Sequence, residues 1–218
     1  MNELEQIEKS IIKIPRGKIF FSDSFLKKYP IKTVRRVLLK LKKKNEIISL
    51  QRGMYVRPEK SRFFPGVPIL PGSEKIIKAI SKKTGEIISV HGAVALNQIG
   101  LSTQVPLRPI YYTSGRSRYI KLNENYKIKL VHINPKKIIM PGTVTGHVTA
   151  ALFFEGKKFL NPRIVKILHN RLGEKYFQEV LMHINKMPAW MGKVFLQYQN
   201  MKPDDPEFKE DDDYYSGN

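Results

Sequence analysis

The chain has 218 residues, 41% hydrophobic and 10% aromatic, enough to bury a core in one large domain or two small ones. Thirty-nine Lys and Arg against 19 Asp and Glu leave a formal charge of +20, which opposes compaction and points to a polyanionic partner, nucleic acid before an anionic membrane surface. The absence of cysteine excludes disulfides, zinc–thiolate centres and thiol nucleophiles.

The N-terminus MNELEQIEKS is polar and acidic, unlike a signal peptide, and no apolar run reaches the length of a membrane span. A soluble, cytoplasmic protein is expected. Leu4, Ile7, Ile11, Ile12 and Ile14 recur at close to helical spacing, so residues 3–13 read as a first helix, stopped by PRG at 15–17. KIFF is a short strand. Ser22 is placed to cap a short helix through Lys28, with Phe25 and Leu26 facing inward, and Tyr29–Pro30 ends it.

Residues 31–44 form the next helix. At about 100° per residue, Ile31, Val34, Val37, Leu38 and Leu41 share one face, while Lys32, Arg36, Lys40 and Lys43 share the opposite one beside Thr33. Arg35 and Lys42 flank the apolar stripe. Six of the ten residues from Arg35 to Lys44 are cationic, with no carboxylate among them for i,i+4 pairing. Two β-rich runs, EIISL and MYVRP, follow around QRG, where Gly53 suits a tight turn and Gln51 and Arg52 are expected at the tip.

Helix, strand, helix, helix and hairpin in that order predict a winged helix-turn-helix over residues 1–58, with helix 31–44 as recognition helix and 46–57 as wing. Residues 11–58 hold 14 Lys and Arg against two acids, Asp23 and Glu46. Phosphates would neutralise this cationic face, with counterion release driving association. The alternative is a solvated charged face on a winged fold that contacts protein.

Residues 59–73, rich in Pro and Gly, read as an extended linker packed by Phe63 and Phe64. Residues 74–200 read as an α+β domain. It opens with a helix capped by Ser73 and closed before Gly85. An extended piece then runs into a small-residue helix near 91–98. RPIYYTSG and SRYIKL read as strands around a Ser-Gly turn, YKIKLVHI as a third strand, and the chain is mainly helical from Asn161. From residue 201 an acidic tail is expected to be disordered; seven carboxylates and one lysine follow from Asp204. The predicted fold class is therefore α+β, an N-terminal winged helix-turn-helix followed by a mixed α+β domain and this tail.

Taken in order, TVRRVLLKLKKKNEIISLQRGMYVRP, ISVHGAVALNQIGLSTQVPLRPIYYTSGRSRYIKL, KIKLVHINPKKI and GTVTGHVTAALFFEGKK resemble AbiEi-type antitoxins of bacterial abortive-infection (type IV toxin–antitoxin) systems and their shorter relatives, over about residues 30–158. The resemblance implies a winged helix that binds inverted repeats upstream of its own operon; two copies to a repeat are expected from the usual geometry of the fold. It also implies a C-terminal domain that counters a nucleotidyltransferase-like toxin. Carried over, the DNA contacts fall on Lys32, Thr33, Arg36, Lys40 and Arg52. The full candidate set adds Ser22, Arg35, Lys43, Lys44 and Gln51, with Arg116 and Arg118 in TSGRSR as a second basic patch.

Catalysis is not expected. No aspartate lies between Asp23 and Asp204, and the eight glutamates there are spread singly, unlike the clustered carboxylates of a two-metal nucleotidyltransferase or nuclease. The five histidines have no metal-ligand spacing, and His91 in SVHGAVAL reads as a helix start where small residues permit close packing. No cofactor or metal is expected. RNA binding, and protein interaction without DNA reading, are the rival functions.

Overall fold

The computed structural model describes residues 2–61, 63–64, 66–122 and 126–201, so the expected acidic tail lies, after Met201, outside the described residues. The chain divides into two compact units, one running through Glu86 and including Arg118–Lys129, the other comprising Ile87–Ser117 and the chain from Leu130 onward.

The first unit opens with helix α1 (Glu3–Ile12), where the Asn2 side chain accepts the Glu5 N–H at 3.1 Å. Strand β1 (Ile19–Phe21), helix α2 (Asp23–Leu26), helix α3 (Ile31–Lys43) and strands β2 (Ile48–Gln51) and β3 (Met54–Val56) follow. The three strands form an antiparallel sheet in the order β1-β3-β2, which is winged helix-turn-helix topology. Ile7 and Ile11 of α1, Phe20 of β1, Val34, Val37, Leu38 and Leu41 of α3, and Ile47 bury against one another as its core. Helix α3 stops at Asn45, whose φ of 55° is tolerated by its short polar side chain. The Asn45 and Glu46 N–H groups bond back to the Lys42 and Leu41 carbonyls, both at 3.0 Å, closing a Schellman motif.

Several local expectations are corrected. Ile31, at the first turn of α3 and the edge of the stripe, is 48% exposed. Helix α2 is a single turn, with room for one inward side chain; Phe25 packs on the core and Leu26 faces out. Ser22 makes no side-chain cap, because its own backbone is already helical; its N–H instead donates to the Gly53 carbonyl at 2.9 Å.

The stretch read as a linker pairs with itself: β4 (Glu59–Lys60) and β5 (Pro68–Ile69) form an antiparallel ribbon, and Phe63 and Phe64 stand exposed beyond its last paired residues rather than packed. Helix α4 (Ser73–Thr84) takes Gly72 at its cap position, so Ser73 is the first helical residue, and Gly85 ends it with φ of 75°. Asp23 pairs with Lys83, whose ammonium also lies 5.7 Å from the Phe21 ring centroid. These contacts bind α4 to the winged helix within the same compact unit, which runs through Glu86.

In the second unit, β6 (Ile88–Val90) pairs antiparallel with β7 (Ile110–Thr113), and α5 (Gly92–Gln98) lies between them in sequence. Strands β8 (Arg118–Lys121) and β9 (Lys127–His132), of which β8 and residues 127–129 are counted with the first unit, extend the strand order to β6-β7-β9-β8. The Ser-Gly turn therefore does not close a β7–β8 hairpin. The chain at the end of β9 takes the hydrogen bonds instead, with Ile133 N–H on the Thr113 carbonyl at 3.0 Å and His132 Nδ1 on the Gly115 carbonyl at 2.7 Å. Helices α6 (Val144–Glu155), α7 (Pro162–Met182) and α8 (Ala189–Asn200) supply most of a core that includes Val148, Leu152, Leu168, Phe177 and Phe195. Gly173, with φ of 73° and ψ of 161°, kinks α7. At Gly92 an added Cβ would lie 2.7 Å from the Ala150 carbonyl oxygen and run into Phe154, so α5 and α6 meet closely there, as the small residues of SVHGAVAL anticipate. Among the described residues no helix is long and apolar enough to cross a membrane.

Candidate nucleic-acid interface

Burial of Val34, Val37, Leu38 and Leu41 fixes the rotation of α3 and turns its opposite side to solvent. Lys32, Arg36 and Lys43 are exposed on that side, Arg35 and Lys42 are exposed at the flanks of the buried stripe, and Thr33 is half-buried at the margin. No acid lies within the helix, and Lys40, Lys42 and Lys43 occupy its last turn, where the helix dipole favours them. An open groove of about 400 Å³ runs along the start of the helix, lined by Lys32, Thr33 and Arg36 and by residues 2–4 of the chain.

Two members of the expected contact set are committed elsewhere. Lys40 Nζ lies 2.7 Å from Glu8 Oε2 of α1, and Lys44 Nζ lies 3.9 Å from Glu8 Oε1. The acid that α3 lacks is thus supplied across the helix pair, at a position that sequence spacing within α3 does not show. Glu8 is the residue that linear reading missed. Both lysines remain more than half exposed, so the pairing redirects them without burying them.

Further cations serve structure. Arg16 and Arg57 each approach Glu46 at 3.5 Å, Arg57 also donates to the Ile12 and Ile14 carbonyls, and Arg16 donates to Pro58 O at 3.0 Å. This clamp joins the end of α1 to the base of the wing. It accounts for part of the positive charge of residues 11–58 without any external anion.

The wing is tighter than anticipated. Gln51 pairs with Met54, so the tip is Arg52–Gly53 alone, and Gly53 supplies the φ of 79° that the turn requires. Arg52 is exposed at that tip, whereas Gln51 is half-buried within the strand and Ser22 is half-buried against the Gly53 carbonyl. Sequence patterning also overlooked Leu39, which is 61% exposed. At about 100° per residue it falls roughly 20° from Lys32 and 40° from Lys43, within the cationic face.

The second basic patch does not stand as expected. Arg118 Nη2 is 3.0 and 2.9 Å from the two Glu86 carboxylate oxygens, which takes up its charge, while Arg116 is exposed in the turn before β8. The turn's backbone is not free to cradle a phosphate, since the Ser114 N–H donates to Ile87 O at 2.9 Å and the Gly115 N–H to Thr113 Oγ1 at 3.0 Å. The histidines hold structural places. His91 caps α5 by accepting the Ala93 N–H at 3.3 Å, and His169 bridges Tyr198 and Glu174 at 2.9 and 2.7 Å. Among the described residues no group of three His, Asp or Glu is arranged to hold a metal.

The hydrogen bond from Lys40 holds the Glu8 carboxyl below the usual carboxylate range, and Lys83 does the same for Asp23. Both acids have lowered folded values, so their contribution is complete above the unfolded carboxylate value and lost as pH falls through the lowered ones. Urea unfolding at about pH 6 and about pH 3 is expected to show a loss of stability in acid. That loss should be smaller in Glu8→Gln, which has no carboxyl left to protonate at this site. Because these pairs are largely exposed, the difference stays modest.

No curated protein and no solved structure matches the chain. One family model does match, over residues 6–176, from α1 into α7 and across both units. The chain therefore belongs to the DUF6088 family, a family of unknown function.

Proposed function

We propose that this protein is a sequence-reading, double-stranded-DNA-binding repressor without catalytic activity, acting in the cytoplasm. The observation that carries the reading is the solvent face of α3, where Lys32, Arg36 and Lys43 stand exposed on a helix that has no carboxylate of its own, with Arg52 at the tip of the wing. In a winged helix that face enters the major groove while the wing touches the adjacent backbone. Lysines on it neutralise phosphates, Arg36 is suited to the O6 and N7 of guanine, and exposed Leu39 is suited to a thymine methyl. The antitoxin role, with a nucleotidyltransferase-like toxin as partner and two copies on an inverted repeat, rests on the resemblance to AbiEi-type antitoxins.

The test is fluorescence anisotropy on a duplex from upstream of the gene, with a scrambled duplex alongside, from about 50 to about 300 mM salt. Preferential binding is expected, with a log–log salt slope of roughly −4 or steeper, about 0.9 per phosphate neutralised. Equal, salt-fragile binding to both duplexes would defeat the sequence-reading claim, and tighter binding to single-stranded RNA would favour the RNA alternative. On the preferred duplex, replacing thymine by uracil at contacted positions is expected to weaken binding about threefold per methyl, and Leu39→Ala should abolish that sensitivity.

A further inference from the structure

The second unit encloses a cavity of about 150 Å³ between the β6–β7 pair, the single-turn 3₁₀ segment Pro135–Lys137 and the first turns of α6. We propose that it is a binding site for a small monocarboxylate with an apolar body about the size of one ring.

Three observations converge on it. First, Ser89 and Tyr112 are directly opposite in the β6–β7 ladder, so their side chains share a face, and both line the cavity. Ser89 is only 7% exposed, yet its hydroxyl has no hydrogen-bond partner among the described residues. That hydroxyl opens into the cavity, where water or a ligand acceptor can take its hydrogen bond. Second, the remaining walls are apolar, formed by Ile133, Ile138, Ala150 and Phe153, together with the exposed Lys137, whose long side chain can bring its ammonium to a bound anion. A volume near 150 Å³ suits a benzene-sized body and is too small for a nucleotide. Third, the backbone next to the lining residue Ile139 is held in a rare conformation. Met140 takes a φ of 42°, rare for a residue other than glycine, and its carbonyl accepts the Thr143 N–H at 3.2 Å and Thr143 Oγ1 at 2.8 Å.

The chemistry selects the ligand class. An apolar body fills the Ile and Phe walls, and a carboxylate accepts one hydrogen bond from the Ser89 hydroxyl and pairs with the Lys137 ammonium. No acidic side chain lines the cavity to repel it.

Calorimetry on the full chain at about 300 mM salt, which suppresses general anion binding to so basic a protein, would compare benzoate with benzyl alcohol, its neutral counterpart of similar size. Benzoate is expected to bind 1:1 and saturably, about tenfold more tightly than the alcohol. Lys137→Gln should erase that preference. Ser89→Ala should weaken benzoate about three- to tenfold while melting no lower than the parent, because the hydroxyl faces the cavity and the change breaks no bond within the protein. Absence of saturable binding by folded protein would overturn the proposal. So would benzyl alcohol binding as tightly as benzoate, or benzoate binding unchanged in both variants, which would place the anion elsewhere.

Discussion

Arg36→Ala is expected to weaken binding to a preferred duplex by about 1–3 kcal/mol while changing affinity for a scrambled duplex far less. That is the signature of a bidentate contact to a base edge rather than to a phosphate. Lys43→Ala should weaken both duplexes about equally and reduce the salt slope by about one phosphate. Lys40→Ala should do less than either, because its ammonium already has the Glu8 carboxylate at 2.7 Å. The converse variant, Glu8→Gln, releases Lys40 and Lys44 toward solvent and is expected to tighten binding to any duplex about two- to fivefold, while lowering stability by less than about 1 kcal/mol. Anisotropy titrations of the four variants on both duplexes would decide the matter. If Arg36→Ala and Lys43→Ala both leave affinity untouched, α3 is not the DNA-reading element.

The largest effect on stability is expected at Gly146. A Cβ there would collide with the Met140 carbonyl oxygen and lie 2.8 Å from that of Ile139. Both neighbours are backbone, and the Met140 carbonyl is tied to Thr143, so the obstruction has no flexible side chain to swing away. Gly146→Ala is expected to cost about 2–4 kcal/mol, a severe overpacking penalty. Gly72→Ala is the matched control: an added Cβ there meets nothing within 4 Å, and its effect should stay within about 0.5 kcal/mol. Urea unfolding monitored through Trp190, which packs against the core of the same unit as Gly146, reads the difference directly.

The contrast between the two glycines shows where linear reading stops. PGS at 71–73 and TGH at 145–147 look equally like helix starts. Only the approach of the Ile139–Met140 backbone makes one glycine indispensable. The linker expectation failed for a similar reason. Pro65, Gly66, Pro68 and Pro71 forbid a long regular element, but they do not forbid a two-residue ribbon with Pro68 paired opposite Lys60. The Ser-Gly turn of 114–115 carried ordinary hairpin chemistry, and nothing local shows that β9 enters between the two strands it separates.

The winged unit and the rotation of α3 follow from linear pattern alone. Val34, Val37, Leu38 and Leu41 recur with helical period, and burying that stripe turns Lys32, Arg36 and Lys43 outward whatever else the chain does. The order of short elements around Gly53 and Asn45 then leaves little freedom for the wing. Which cations are available depends instead on how the elements pack. Ion pairs such as Lys40–Glu8, Arg57–Glu46 and Arg118–Glu86 join residues 32, 11 and 32 positions apart. Coulombic pairing depends on distance in space, which helical period does not report across elements. The same holds for the cavity beside Ser89, whose walls come from β6, β7, residues 133–139 and α6 and exist only once those segments have packed.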